Sequence, residues 1–349
     1  MIRNLQSLRF IFSFSILVSH FLGHEHSTFG LGEYGVVGFF MLSGFVLSVA
    51  YGRKIEGGQF RTWPFFCKQW AKLYPLHIAT FVVAIFYEAY YGRMYEWYQL
   101  VPPVFLVQSW IPDETFHNIP NGSSWSLCGF FFFYLLFNLL FVWLNKISVR
   151  RLMVVVAVGL AVYVAIALSL PRRMVYAFLY PSPLMRLPDF VIGIVLFRLL
   201  RSETGEFMKK RLTSCSRLLL TAIEAVVLLA PVAAFMVYGA VNPALRCVSL
   251  FWLFTGAQLL LFSWSDSARG MVTQLLHSSP VMFLGGISFE IYLLHMFVVP
   301  SVRSVADRMG FNPIGVVALL VAAAITVALS YLAKRYYVDK TFAYLKPYL

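Results

Sequence analysis

The chain has 349 residues, 60% of them hydrophobic and only 12% charged, with a mean hydropathy of +0.75. That excludes a water-soluble domain of this size and predicts an all-α, polytopic helical bundle in a membrane. The formal net charge of +13 does not argue for nucleic acid. The basic residues are spread through short loops between apolar runs, where they act first as a topology signal.

Windows of roughly 17 to 25 apolar residues predict ten spans, near 6–23, 34–51, 73–91, 127–145, 152–170, 186–200, 218–239, 243–264, 281–301 and 314–333. The stretch 96–111, EWYQLVPPVFLVQSWI, is apolar but interrupted by Pro102 and Pro103. It is read as re-entrant or interfacial. Loop charges support that reading. Segment 52–72 carries Arg53, Lys54, Arg61, Lys68 and Lys72; 145–151 carries Lys146, Arg150 and Arg151; 198–217 includes Lys209, Lys210 and Arg211; the tail has Lys334 and Arg335. Segments 22–33 and 112–126 contain neither Lys nor Arg. Ten spans then place each dense basic cluster inside, both bare loops outside and both termini in the cytoplasm, as in a multi-pass protein of the cell (inner) membrane. Arg93, Arg172, Arg173, Arg303 and Arg308 are the external exceptions. The cysteines Cys67, Cys128, Cys215 and Cys247 show no metal-ligand spacing, and no metal is expected. Cys67 and Cys215 fall in basic loops and are expected to be reduced. The first apolar run is long enough to stay as a span rather than be cleaved. Residues 1–349 read as one membrane domain, and the absence of an obvious repeat weakens a transporter of the inverted-repeat kind.

The first span holds LRFIFSFSILVSHF, from Leu8 to Phe21. Arg9 and His20 are close to three helical turns apart, hence on one face, about 20° out of line and about 16 Å apart along the axis. Ionisable groups in a span are costly and mark functional sites. Two readings are open: a reactive pair, or a snorkelling arginine and an interfacial histidine. His295, in GGISFEIYLLHMFVVP, falls in the outer half of the ninth span at a similar depth. Tyr292 shares its face and can donate to it, or serve as a belt tyrosine. In the same layer Trp125 and Ser126 open the fourth span, and Gln108, Ser109 and Trp110 end the proline-broken stretch. Asp189 stands three residues after Arg186, as a site carboxylate or as a mutually neutralised pair. In the opposite layer Arg9, Arg53, Lys68 and Lys72 would hold a phosphorylated ligand, or are ordinary positive-inside charge. The small-residue run GVVGFFMLSGF, with Gly35, Gly38, Ser43 and Gly44, permits close helix contact or the passage of a slender ligand.

LRFIFSFSILVSH resembles the opening motif of the membrane-bound acyltransferase family 3, an arginine followed by a histidine with ten residues between. GVVGFFMLSGF, FFCKQWAKLYP, SSWSLCGFFFFYLLF, MRLPDFVIGI and ISFEIYLLH are similar to that family's further landmarks, in order, from residue 5 to about 340. The resemblance implies an integral membrane O-acyltransferase. It would move an acyl group, expected to be acetyl, from acyl-CoA (acetyl-CoA) to a hydroxyl of a cell-surface or lipid-linked carbohydrate. Its partners would be acyl-CoA, the glycan acceptor and membrane lipids.

On the geometry above, Arg9 with Lys68, Lys72 and Arg53 would hold the donor's phosphates, beside Ser43. The pantetheine arm would pass between the first, second and ninth spans. His20 is the expected general base. His295 would bind the acceptor or stabilise the oxyanion, helped by Tyr292 or Ser288, and Trp125, Ser126, Asp189 and Arg186 are expected on the acceptor side. There are three departures from the family. Lys72 replaces the usual arginine, Asp339 only approximates a C-terminal glutamate, and Phe130 stands where the family usually has glutamate. Phe130 leaves a disabled enzyme open as an alternative; a lipid or glycan flippase is the other.

Overall fold

The protein is described by a computed structural model over residues 2–26, 30–171, 174, 178–238, 250–267 and 270–349. Arg172, Arg173, Cys247 and positions 243–249 of the eighth expected span lie outside the described residues. No strand occurs among the described residues. The main helices, in chain order, are α1 (Arg3–His26), α2 (Leu31–Glu56), α3 (Thr62–Tyr90), α4 (Trp97–Val104), α5 (Trp125–Asn145), α6 (Val149–Ser169), α7 (Pro183–Leu200), α8 (Glu203–Thr213), α9 (Arg217–Tyr238), α10 (Leu250–Trp264), α11 (Ser288–Arg308), α12 (Val316–Ala333) and α13 (Asp339–Leu345).

Eight of these are long and apolar enough to cross a membrane: α1, α2, α3, α5, α6, α9, α11 and α12. The sixth and eighth expected spans form helices but fall below that mark. α7 carries Arg186, Asp189 and Arg198, and the described part of α10 is short. α4, at eight residues, is too short to span, since a crossing needs about 20 residues. Its Trp97, Tyr98, Val101 and Phe105 are exposed, and its carbonyls at Pro103 and Val104 accept from His77 Nε2 at 3.0 Å and the Tyr74 hydroxyl at 2.9 Å. A short, proline-broken helix with an apolar outer face, pinned from beneath, fits the re-entrant or interfacial expectation and not a crossing.

Two boundaries differ from the expected ones. α3 begins at Thr62, well before the expected 73, so Cys67, Lys68 and Lys72 lie on a helix and not in a loop. A window average penalises their charges, although Phe65 and Gln69 one turn apart are buried beneath them. The ninth span divides into Ser279–Gly286 and α11. The break follows Gly285, whose place against the Gln6 carbonyl leaves no room for a Cβ.

The core is centred on α2, which packs most extensively against α7 and α1. Its small residues serve both neighbours. Gly35 meets the Phe12 carbonyl of α1, Gly44 meets the Phe190 carbonyl of α7, and Gly193 of α7 answers against the Met41 carbonyl. Lipid offers no hydrophobic drive between helices, so such close van der Waals approach is what holds them. α6, α9 and α12 turn exposed valines and leucines outward, as a lipid-facing perimeter requires.

Candidate functional site

A cavity of about 130 Å³ opens between α1, α2, α3, α5 and α11. Helical stripes build its wall. α2 gives Val36, Phe39, Phe40 and Ser43; α5 gives Ser126, Phe130 and Tyr134, one turn apart each; α11 gives Ser288, Phe289 and Tyr292; α1 gives Arg9 and α3 gives Leu73. From Ser126 to Tyr134 the helical rise is about 12 Å, so the cavity is a slot lying along the bundle axis. Arg9, Ser43 and Tyr134 stand at one end, Tyr292 and Ser126 at the other.

At the Arg9 end the wall is cationic, with the hydroxyl groups of Ser43 and Tyr134 set among apolar residues. Among the described residues no Asp or Glu lines the cavity and Arg9 makes no ion pair. A guanidinium held in such surroundings favours an anion. Lys72 lies within electrostatic reach of Arg9, Lys68 and Lys334. Lys68 and Arg53 are exposed and do not line the cavity.

At the other end the Tyr292 hydroxyl donates to the Ser123 carbonyl at 2.8 Å and lies 2.9 Å from the Ser126 hydroxyl. Asn121 donates to the Leu293 carbonyl at 3.3 Å, which ties the same loop to α11. Behind Tyr292, at 6.1 Å between ring centroids, is His295. His20 stands against His295, edge to face, at 5.0 Å. The expected convergence of two imidazoles from separate helices is therefore present, just beyond the slot and not within its wall.

The two rings differ in environment. His295 is fully buried and its Nδ1 lies 3.2 Å from the Ile291 carbonyl. A carbonyl only accepts, so Nδ1 carries a hydrogen, and in the neutral ring Nε2 is then bare. That nitrogen has no hydrogen-bond partner among the described residues. As a neutral ring His295 can accept a proton or a hydrogen bond but cannot donate to an oxyanion through Nε2. His20 is exposed, and its Nδ1 lies 3.0 Å from the Met296 sulfur.

Other expected site residues are placed elsewhere. Arg186 and Asp189 form a buried pair at 3.5 Å. Arg186 Nε donates to the Tyr180 carbonyl at 2.8 Å, its guanidinium lies over the Tyr180 ring, and Trp252 Nε1 donates to Asp189. Trp125 packs on Tyr180 and Phe40. None of these three lines the cavity; they fasten α7 to α5 and α10. Tyr134, Met296 and Lys334 had not been singled out. The four-residue spacing from Ser126 through Phe130 to Tyr134 is the signal that places Tyr134 on the cavity stripe.

The comparisons with known proteins agree on one family. The profile of acyltransferase family 3, described as an acyltransferase domain, matches residues 2–335. The chain belongs to this acyltransferase family. Acyltransferase MdmB of Streptomyces mycarofaciens is 31% identical to it over 288 residues, 77% of this chain and 68% of that protein. No solved structure matches. The protein is thus a multi-pass membrane acyltransferase, and its cavity and histidine pair lie within the matched residues.

Proposed function

We propose that this acyltransferase moves a short acyl group, in the simplest case acetyl, from acyl-CoA to a hydroxyl of a cell-surface or lipid-linked carbohydrate. It would work in the inner membrane with both termini cytoplasmic, taking the donor from the Arg9 end and the acceptor from the histidine end. The observation that carries this reading is the slot itself, about 12 Å long by helical rise, with an ion-pair-free arginine at one end and two touching imidazoles past the other. That is the shape and charge order a phosphorylated pantetheine thioester asks for.

Arg9, with Lys72 behind it, would hold phosphate. Ser43 and Tyr134 would meet the amides of the arm along an otherwise apolar wall. His20, open to the outside, would take the proton of the attacking hydroxyl, a role typically worth 10²–10⁴-fold. His295, with its bare Nε2, would orient that hydroxyl or share the proton. Ser288 and Ser126 would donate to the developing oxyanion.

A second reading rests on Phe130, which lies in the wall with its ring 4.8 Å from that of Phe40. The slot therefore lacks the carboxylate that the family places there, as a disabled enzyme would. Membranes bearing this chain, His20→Ala or Phe130→Glu, incubated with labelled acetyl-CoA and acceptor glycan, separate the readings. Transfer by the native chain that falls at least 10²-fold in His20→Ala supports the base assignment. Transfer that survives His20→Ala refutes it. Transfer only after Phe130→Glu identifies a disabled enzyme, and none in any variant favours a flippase.

A further inference from the structure

Glu290 sits in the first turn of α11, next to the cavity-lining Ser288 and Phe289, and is 2% exposed. A carboxylate buried in a membrane-spanning helix calls for a partner. Lys334 supplies it, with Nζ 3.6 Å from Glu290 Oε1, while Glu290 Oε2 has no hydrogen-bond partner among the described residues. The same ammonium lies 3.3 Å from Asp339 Oδ1, on a side chain that is 61% exposed. Lys334 opens a π-helical turn, Lys334–Val338, between α12 and α13. Such turns re-aim side chains and recur at functional sites.

This turn is docked on α3. The Tyr337 hydroxyl donates to the Pro75 carbonyl at 3.1 Å, and the Lys72 ammonium stands 5.7 Å from the centre of the Phe342 ring. Lys72 in turn feels the charges of Lys68, Arg9 and Lys334. Four cations from α1, α3 and the π turn thus crowd the Arg9 end of the slot against two carboxylates. The surplus is positive, and it lies on the side of the slot to which the donor's phosphates have been assigned, with Lys334 held by Glu290 next to the lining residues Ser288 and Phe289.

We propose that Lys334 is a further donor-binding cation on this side of the slot, that Glu290 is its positioning residue, and that Asp339 is the exposed counter-ion a phosphate displaces. The assignment rests on the acyl-CoA reading above. The two carboxylates differ in how readily they give way. A solvent-exposed pair such as Lys334–Asp339 is screened and contributes little, so exchanging it for a phosphate group costs little. Glu290 is buried and stays with the ammonium, fixing the direction of its long, flexible stem.

The sign of one mutation separates positioning from plain electrostatics. Were Glu290 only a negative charge near the entrance, neutralising it would tighten binding of an anionic donor. As a positioning residue it must do the reverse. The test uses the full-length protein purified in nanodiscs, with CoA binding read by calorimetry. Donor KM is compared between acetyl-CoA and acetyl-pantetheine, which lacks the phosphates. Lys334→Gln should weaken CoA about tenfold, the loss of one charged hydrogen bond, and leave the KM for acetyl-pantetheine unchanged. Lys334→Arg should restore most of the affinity. Glu290→Gln should also weaken CoA, and Asp339→Asn should not. Melting temperatures without ligand confirm that each variant is folded. Unchanged CoA affinity in Lys334→Gln, or tighter CoA binding in Glu290→Gln, overturns the proposal while leaving the acyl-CoA reading intact. Failure of the native protein to bind CoA overturns both.

Discussion

At the scale of single residues, burial separates groups that do chemistry from groups that hold the frame. The Arg186–Asp189 pair is 1% and 2% exposed and is tied to Tyr180 and Trp252, but it is absent from the cavity wall. Removing one member of a buried pair strands the other, at a typical cost of about 3–5 kcal/mol. Asp189→Leu is therefore expected to lower the melting temperature sharply in a thermal scan, with donor KM unchanged in whatever fraction remains folded. Tyr292 is the contrasting case, because its hydroxyl serves the Ser123 carbonyl and Ser126 at the end of the slot. Tyr292→Phe leaves that carbonyl without its donor, costing about 1–3 kcal/mol. It should depress kcat more than stability, since the turn it releases at Ser123 leads directly into Ser126 of α5 on the cavity wall; steady-state kinetics and a melt on the same sample check the split.

At the scale of elements, the bundle depends on two helices whose backbones nearly touch. A Cβ on Gly193 would strike the Met41 carbonyl, and one on Gly44 the Phe190 carbonyl, neither of which is a flexible side-chain tip. Gly193→Leu should force α2 and α7 apart, lowering the melting temperature and abolishing CoA binding together, because α2 forms one whole side of the slot. Gly159 on α6 has open space around its Cβ position, so Gly159→Leu should leave both quantities unchanged. α4 is a different kind of element, tied to α3 by the His77 and Tyr74 bonds to its carbonyls at Pro103 and Val104. His77→Ala should raise hydrogen exchange across 97–110 severalfold without disturbing α3, as expected when a locally stable unit loses its anchor.

At the scale of the whole molecule, the testable property is sidedness. Cys67 and Cys215 are partly exposed free thiols on segments assigned to the cytoplasm by their charge, and Glu114 lies in the Lys- and Arg-free loop 112–126. In intact cells an impermeant maleimide should leave Cys67 and Cys215 unlabelled and should label the Glu114→Cys variant. Opening the cells should expose the first two. Labelling of Cys67 without lysis would invert the bundle and place the donor entrance on the wrong side of the membrane.

The sequence by itself determined the material and the periodicity of this protein. Long apolar runs with polar groups at helical spacing admit only membrane helices, because every backbone group in lipid must be bonded within its own segment. The family motifs, the Arg9–His20 face and the failure of the proline-broken stretch 96–111 to span follow from local pattern alone. Which side chains meet did not follow, since contact across helices depends on rotation and depth, and a chain-order reading fixes neither. Only the tertiary structure brought Glu290 to Lys334 across the π turn and set Arg186 and Asp189 in the frame. It also placed the two imidazoles behind Tyr292 and gave His295 the carbonyl that settles which nitrogen is bare. Helix packing decides these things, because in a membrane it is shape and small residues, not hydrophobicity, that choose the partner.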